Sequence, residues 1–79
     1  MNETEVYTKL YDVFDEFFGL EQSEVVPELT ADQVDGWDSL NHIRLMLKIQ
    51  SEFGVKFSSG QISGLQNVGE LANILVAKT

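Results

Sequence analysis

An all-α fold is what this 79-residue chain predicts, as a small bundle of three longer helices and one short one with a long loop between the first two. Three observations carry that expectation. Apolar residues recur at helical spacing in separate segments, capping residues stand ahead of four of them, and no segment alternates apolar and polar long enough to make a half-buried strand. The longest candidate strand, Val55 to Phe57, is three residues.

The first helix is read from Val6, Leu10, Val13, Phe14 and Phe17, which fall along one face at offsets 0, 4, 7, 8 and 11. Asn2 followed by Glu5 has the form of a capping box, and Gly19 supplies a C-terminal stop. The second helix spans residues 39–53 and ends at Gly54. Ser58 followed by Gln61 caps a short third helix ending near Gly64, the weakest of the set because each interior glycine costs about 1 kcal/mol. Asn67 followed by Glu70 caps the fourth, with Val68, Leu71, Ala72 and Leu75 on one face.

Between Gly19 and Asp38 runs a connection of near twenty residues, where bundle connections usually take about 2–8. It carries Val25, Val26, Leu29, Val34 and Trp37, apolar anchors that predict a loop folded back over the bundle. Thr30 to Gln33 is a candidate single helical turn within it.

Composition bounds the function. Residues 1–79 are expected to form a single domain with a radius of gyration of about 12 Å. A chain with no cysteine and one histidine can do no thiol redox chemistry and build no cysteine zinc site, so the 43% hydrophobic content must stabilise it by packing. No secretory signal and no membrane-length apolar run is visible, and the expectation is a soluble, cytoplasmic protein. The net charge of −8 is uneven: residues 1–38 hold eleven acids and one lysine, and residues 39–79 hold two acids and four bases. An acidic half repels nucleic acid and suits basic protein partners, or serves solubility alone.

The second helix has an unusual wheel. At about 100° per residue, Leu45, Met46, Ile49 and Phe53 form a core face, while Leu40, Ile43 and Leu47 form a second apolar stripe. Ser39 sits at the N-terminal end between the faces, and Arg44 and Lys48 lie on the far flank of the second stripe. A central helix can bury both faces, or the second stripe can meet a partner; the wheel leaves both open.

Chemistry centres on Asp38-Ser39. Taken alone, aspartate before an apolar helix is a cap. Gly36-Trp37-Asp38-Ser39-Leu40 lacks the second glycine of a hydrolase nucleophile elbow, and His42 lies toward the core side with no carboxylate spaced to orient it. Asp32, Asp35 and Asp38 fail the spacing of a calcium loop, which would put Val34 at position 3 and Ile43 at position 12. "SSGQISG" lacks the lysine of a phosphate-binding loop. No catalytic or metal-binding set is therefore expected.

With "GWDSL" at 36–40, the apolar helix running to "EFG" at 52–54, and "NVGELANIL" at 67–75, nearly the whole chain resembles an acyl carrier protein. The resemblance implies that Ser39 is esterified by 4'-phosphopantetheine, taken from coenzyme A by a separate phosphopantetheinyl transferase. The thiol of that arm would carry acyl, aminoacyl or polyketide intermediates as thioesters. It implies further that Asp38 and Leu40 complete the attachment motif, Asp38 aiding recognition by the transferase, and that Leu40, Ile43 and Leu47 dock acyl-loading and acyl-processing enzymes. A stand-alone, monomeric, non-catalytic carrier is expected. Two departures from the fatty-acid-synthesis type stand out. Arg44 and Lys48 occupy a helix that is rich in acids in that type, which predicts different partners and a specialised pathway. Phe57 and Ser58 replace an aliphatic-proline pair common there. The rival class is a four-helix interaction module never modified at Ser39, with an enzyme using Ser39 and His42 further off.

Overall fold

A computed structural model describes all residues 1–79. Its helices are α1 (Glu3–Phe18), α2 (Ser39–Phe53), α3 (Ser59–Ser63) and α4 (Val68–Lys78), with no strand, as the periodicity predicts. Asn2 and Glu5 make the reciprocal capping box at the start of α1: the Asn2 side chain accepts from the Glu5 N–H and the Glu5 carboxylate from the Asn2 N–H. Ser58 with Gln61 does the same for α3, and the Asn67 side chain caps α4. These are local bonds between residues three apart, so their pattern is readable before any tertiary contact is known.

The core is one cluster fed by α1 (Val6, Tyr7, Leu10, Val13, Phe14), α2 (Leu45, Met46, Ile49, Phe53) and α4 (Val68, Leu71, Ala72, Leu75), with α1 packing on both of the others. α3 contributes no buried residue. Phe17, expected on the core face of α1, is half-buried at the helix end, and Tyr7 is a core residue its spacing did not single out. The radius of gyration is 11.3 Å, against the expected ~12 Å.

The long loop is pinned, as its apolar residues predict. Val25 and Val34 are buried, whereas Val26 faces solvent and is not the anchor it was expected to be: its neighbour Val25 takes the inward position. Two single 3-10 turns shape the loop, at Gln22–Glu24 and at Ala31–Gln33, the second lying on the expected Thr30 to Gln33 stretch. Between the turns the loop lies on the start of α4, where the Val68 and Gly69 amides donate to the Leu29 and Pro27 carbonyls, each at 2.9 Å. A Cβ at Gly69 would sit 3.1 Å from Pro27, a tight approach that the glycine avoids.

Candidate functional site

α2 begins in a compact turn. The Asp38 backbone is extended, its Oδ1 accepts the Asn41 N–H at 2.8 Å, and the Asn41 side-chain amide donates to the Gly36 carbonyl at 2.7 Å. Gly36 has a φ of 88°, a conformation that a side chain would strain. Ser39 follows as the first helical residue, and it is exposed. Its position puts the hydroxyl at the helix end where backbone N–H groups lack intrahelical partners and the dipole is positive.

Behind the turn lies an aromatic group that sequence reasoning did not assemble. Trp37 packs against Phe14 at 5.3 Å and Phe18 at 5.6 Å between ring centroids, joining the loop to α1. Its indole N–H donates to His42 Nδ1 at 3.0 Å. A ring nitrogen that accepts carries no proton, so the proton of the neutral imidazole is on Nε2, which donates to the Ile62 carbonyl of α3 at 2.9 Å. Both nitrogens of His42 are engaged, and neither is free to act as a base toward Ser39.

A cleft of about 460 Å³ opens beside Ser39, lined by Trp37, Asp38 and His42 together with Ser63, Leu65 and Asn67. Asp32 stands at its edge. The Thr30 hydroxyl, bonded to Asp32 Oδ1 at 2.6 Å, is the main cause that holds this carboxyl below the ordinary aspartate range. Asp32, Asp35 and Asp38 do not converge into a cation site.

The two stripes of α2 part company. Leu45, Met46, Ile49 and Phe53 are buried, while Leu40, Ile43 and Leu47 are 61%, 51% and 61% exposed. Of the two cations expected on this flank, Arg44 is exposed and makes no ion pair. Lys48 is bound instead, to Glu52 at 3.0 Å and to Glu16 of α1 at 3.7 Å. The hydrogen bond to Glu52, then the charge of Glu16, raise its ammonium above the ordinary lysine range. Phe57, in place of the expected aliphatic residue, packs at the edge of the core, and Ser58 is the α3 cap.

The structure is thus a small helical fold with an exposed serine at a helix start, beside an open cleft. Residues 8–75 match the family model described as "Phosphopantetheine attachment site", and the chain belongs to that family. It is 28% identical over 74 residues to the acyl carrier protein of Thermotoga maritima, covering 94% of this chain and 91% of that one. It is 31% identical over 71 residues to the meromycolate extension acyl carrier protein of Mycolicibacterium aurum, covering 89% and 72%. Among solved structures, the acyl carrier protein from Enterococcus faecalis shares the fold with a TM-score of 0.82 at 24% identity, over 100% of both chains. No helix is long and apolar enough to cross a membrane.

Covalent 4'-phosphopantetheine is thus the cofactor of a non-catalytic carrier of thioester intermediates. The residues fit such a group. It needs a surface hydroxyl that another enzyme can reach and a partly polar bed for a flexible amide-bearing arm; Ser39 offers the first and the adjoining cleft the second. Once attached, it supplies the thiol that a cysteine-free chain lacks.

Proposed function

We propose that Ser39 is the residue to which 4'-phosphopantetheine is attached, with Asp38 and Leu40 completing the attachment motif. The observation that carries this reading is an exposed serine hydroxyl at the start of α2, beside an open cleft and an exposed apolar stripe. In the loading step the Ser39 Oγ–phosphorus bond forms and the pyrophosphate bond of coenzyme A breaks. Adenosine 3',5'-bisphosphate leaves, and the hydroxyl proton passes to a base of the transferase. Asp38 does two jobs: it caps α2, and its exposed carboxylate marks the site for the transferase.

Leu40, Ile43 and Leu47 form the docking stripe, with Arg44 on its rim. A carrier must release each enzyme after its turn, which favours a modest apolar patch steered by charge over a large interface. Since Lys48 is held by Glu16 and Glu52, Arg44 is the cation that this surface presents most freely. The partners are a phosphopantetheinyl transferase and the acyl-loading and acyl-processing enzymes of a pathway whose docking faces carry acid where those of a general fatty acid carrier carry base. The protein acts as a cytoplasmic monomer, where coenzyme A and these enzymes meet it.

Incubation with coenzyme A, magnesium and a broad-specificity phosphopantetheinyl transferase, followed by intact mass measurement, tests the assignment. One phosphopantetheine addition that disappears in Ser39→Ala is expected. Absence of any addition, or an addition that survives Ser39→Ala, would sink it, the first result favouring an unmodified interaction module.

A further inference from the structure

His42 links three parts of the molecule through one ring. It belongs to α2, its Nδ1 accepts the indole N–H of Trp37 from the loop, and its Nε2–H donates to the Ile62 carbonyl of α3. Trp37 lies two residues before Ser39 and is backed by Phe14 and Phe18 of α1, so the ring that holds Trp37 also holds the turn carrying the serine. α3 buries no residue of its own, and the His42–Ile62 bond is a polar tether of this helix to the rest of the bundle.

We propose that His42 is a positioning residue for loading at Ser39: a clasp that fixes the Trp37-Asp38-Ser39 turn against α2 and α3, and that closes only when the imidazole is neutral. The inference rests on the reading of Ser39 as the attachment residue, but the clasp itself does not. Its proton sensitivity follows from donor and acceptor counting. Nδ1 can receive the indole N–H only through its lone pair, and a proton there sets two donors against each other. The Nε2–H bond to Ile62 survives protonation, so the loop side of the clasp opens while the α3 side stays shut.

The loop and helix cap bring the carboxylates of Asp32 and Asp38 to the same cleft. α3 (Ser59–Ser63) brings no ionisable side chain, α4 brings Leu71 to the cleft, and α1 brings the rings of Phe14 and Phe18 behind Trp37. Among these contacts the indole N–H is the one that demands the neutral form. Opening of the loop side leaves the aromatic anchor of the turn held by its packing on Phe14 and Phe18 without the polar bond that orients it, and the serine is then presented less often in the orientation that the transferase needs.

Two substitutions separate the clasp from mere packing. Glutamine at this position does not titrate, so whatever hydrogen bonds His42→Gln makes are the same at every pH. His42→Phe fills the space and makes neither bond. In the unloaded protein, the indole N–H resonance of Trp37, the sole tryptophan, is expected to hold its hydrogen-bonded position while the ring is neutral and to leave it when acid protonates the ring. It should stay fixed in His42→Gln and be released throughout in His42→Phe. The ratio of wild-type to His42→Gln kcat/KM for loading, measured with coenzyme A and the same transferase at each pH, cancels the transferase's own titration. It should fall about fivefold from the neutral to the protonated ring as the pH is lowered, the effect of one lost hydrogen bond. An indole signal that titrates equally in His42→Gln, or a loading ratio flat with pH, would overturn the proposal. Because His42→Phe can perturb folding, the wild-type and glutamine comparison decides alone. Failure of mass addition at Ser39 would overturn the attachment reading instead, and the indole titration still reports on the clasp.

Discussion

Alanine at Leu47 and alanine at Ile49 should have opposite consequences, although the two residues are neighbours on one helix. Leu47 is 61% exposed and Ile49 is fully buried. Complete burial of such a side chain is worth about 1.5–3 kcal/mol. Leu47 keeps roughly two-fifths of that, and alanine retains part of the contact, so Leu47→Ala costs stability by about 0.5 kcal/mol. Ile49→Ala opens a cavity among α1, α2 and α4 and should cost about 2–5 kcal/mol. For a domain this small, each kcal/mol moves the melting temperature by about 4–8 °C. Leu47→Ala should therefore melt within about 4 °C of the wild type, and Ile49→Ala at least about 8 °C below it. Loading kinetics should show the reverse. Loss of an apolar anchor from a docking surface raises KM by on the order of tenfold with kcat unchanged, because the contact is made equally before and during the reaction. Thermal melts and intact-mass loading rates on Leu40→Ala, Ile43→Ala and Leu47→Ala, set beside Ile49→Ala, provide the measurement. If Leu47→Ala melts with Ile49→Ala, the stripe is structural; if all three exposed variants keep the wild-type KM, it does not dock the transferase.

Three further outcomes follow from single contacts. Asp38→Asn retains a capping side chain and should change stability by only a few tenths of a kcal/mol, while Asp38→Ala costs about 1 kcal/mol; loading should fall in both, and a normal rate in Asp38→Asn would remove the carboxylate from transferase recognition. Arg44→Glu breaks no ion pair and should leave the melting temperature within about 2–4 °C, yet weaken loading by the native acyl-transfer partner. Unchanged acyl loading in the Arg44→Glu, Lys48→Glu double variant would show that these cations do not select partners. Thr30→Val removes the hydroxyl that chiefly lowers the Asp32 carboxyl, so that carboxyl should titrate closer to the ordinary aspartate range. The sign is fixed by linkage: a carboxyl lowered in the folded state adds stability above its unfolded value and loses it as pH falls through the folded one, so Thr30→Val should flatten this acid-side loss. Carbon-detected NMR titration of Asp32 checks it, and an unmoved titration would discount the Thr30 bond.

What could be read without coordinates was local. Asn2 with Glu5, Ser58 with Gln61 and Asp38 with Asn41 are bonds between residues three apart, and residue type at fixed spacing is enough to anticipate them. Periodicity likewise separated the two faces of α2, but it could not say which neighbours exist to cover them, so the solvent exposure of Leu40, Ile43 and Leu47 needed the packing of α1 and α4 on the other face. The contacts that escaped are those between distant residues. His42 and Ile62 are twenty positions apart, Lys48 and Glu16 lie on different helices, and Val68 meets the Leu29 carbonyl of a loop whose path no periodicity describes. A histidine facing inward beside a tryptophan five residues earlier was the available signal for the clasp, but the partner on α3 was not.

The geometry of α2 explains how so short a helix can serve structure and exchange together. Successive residues turn by about 100°, so relative to Ser39 the core residues Leu45, Ile49, Phe53 and Met46 fall at about 240–340° and His42 among them at about 300°. Leu40, Ile43 and Leu47 fall at about 40–100° and Arg44 at about 140°. Ser39 lies between these arcs. A change on the docking arc therefore removes little from the core, and partners can diverge without loss of the fold. His42 is the exception in this division, because it sits on the core arc but grips the turn that presents the serine. That turn is tied to the helix twice, by the Asn41 amide on the Gly36 carbonyl and by the His42 ring on the Trp37 indole.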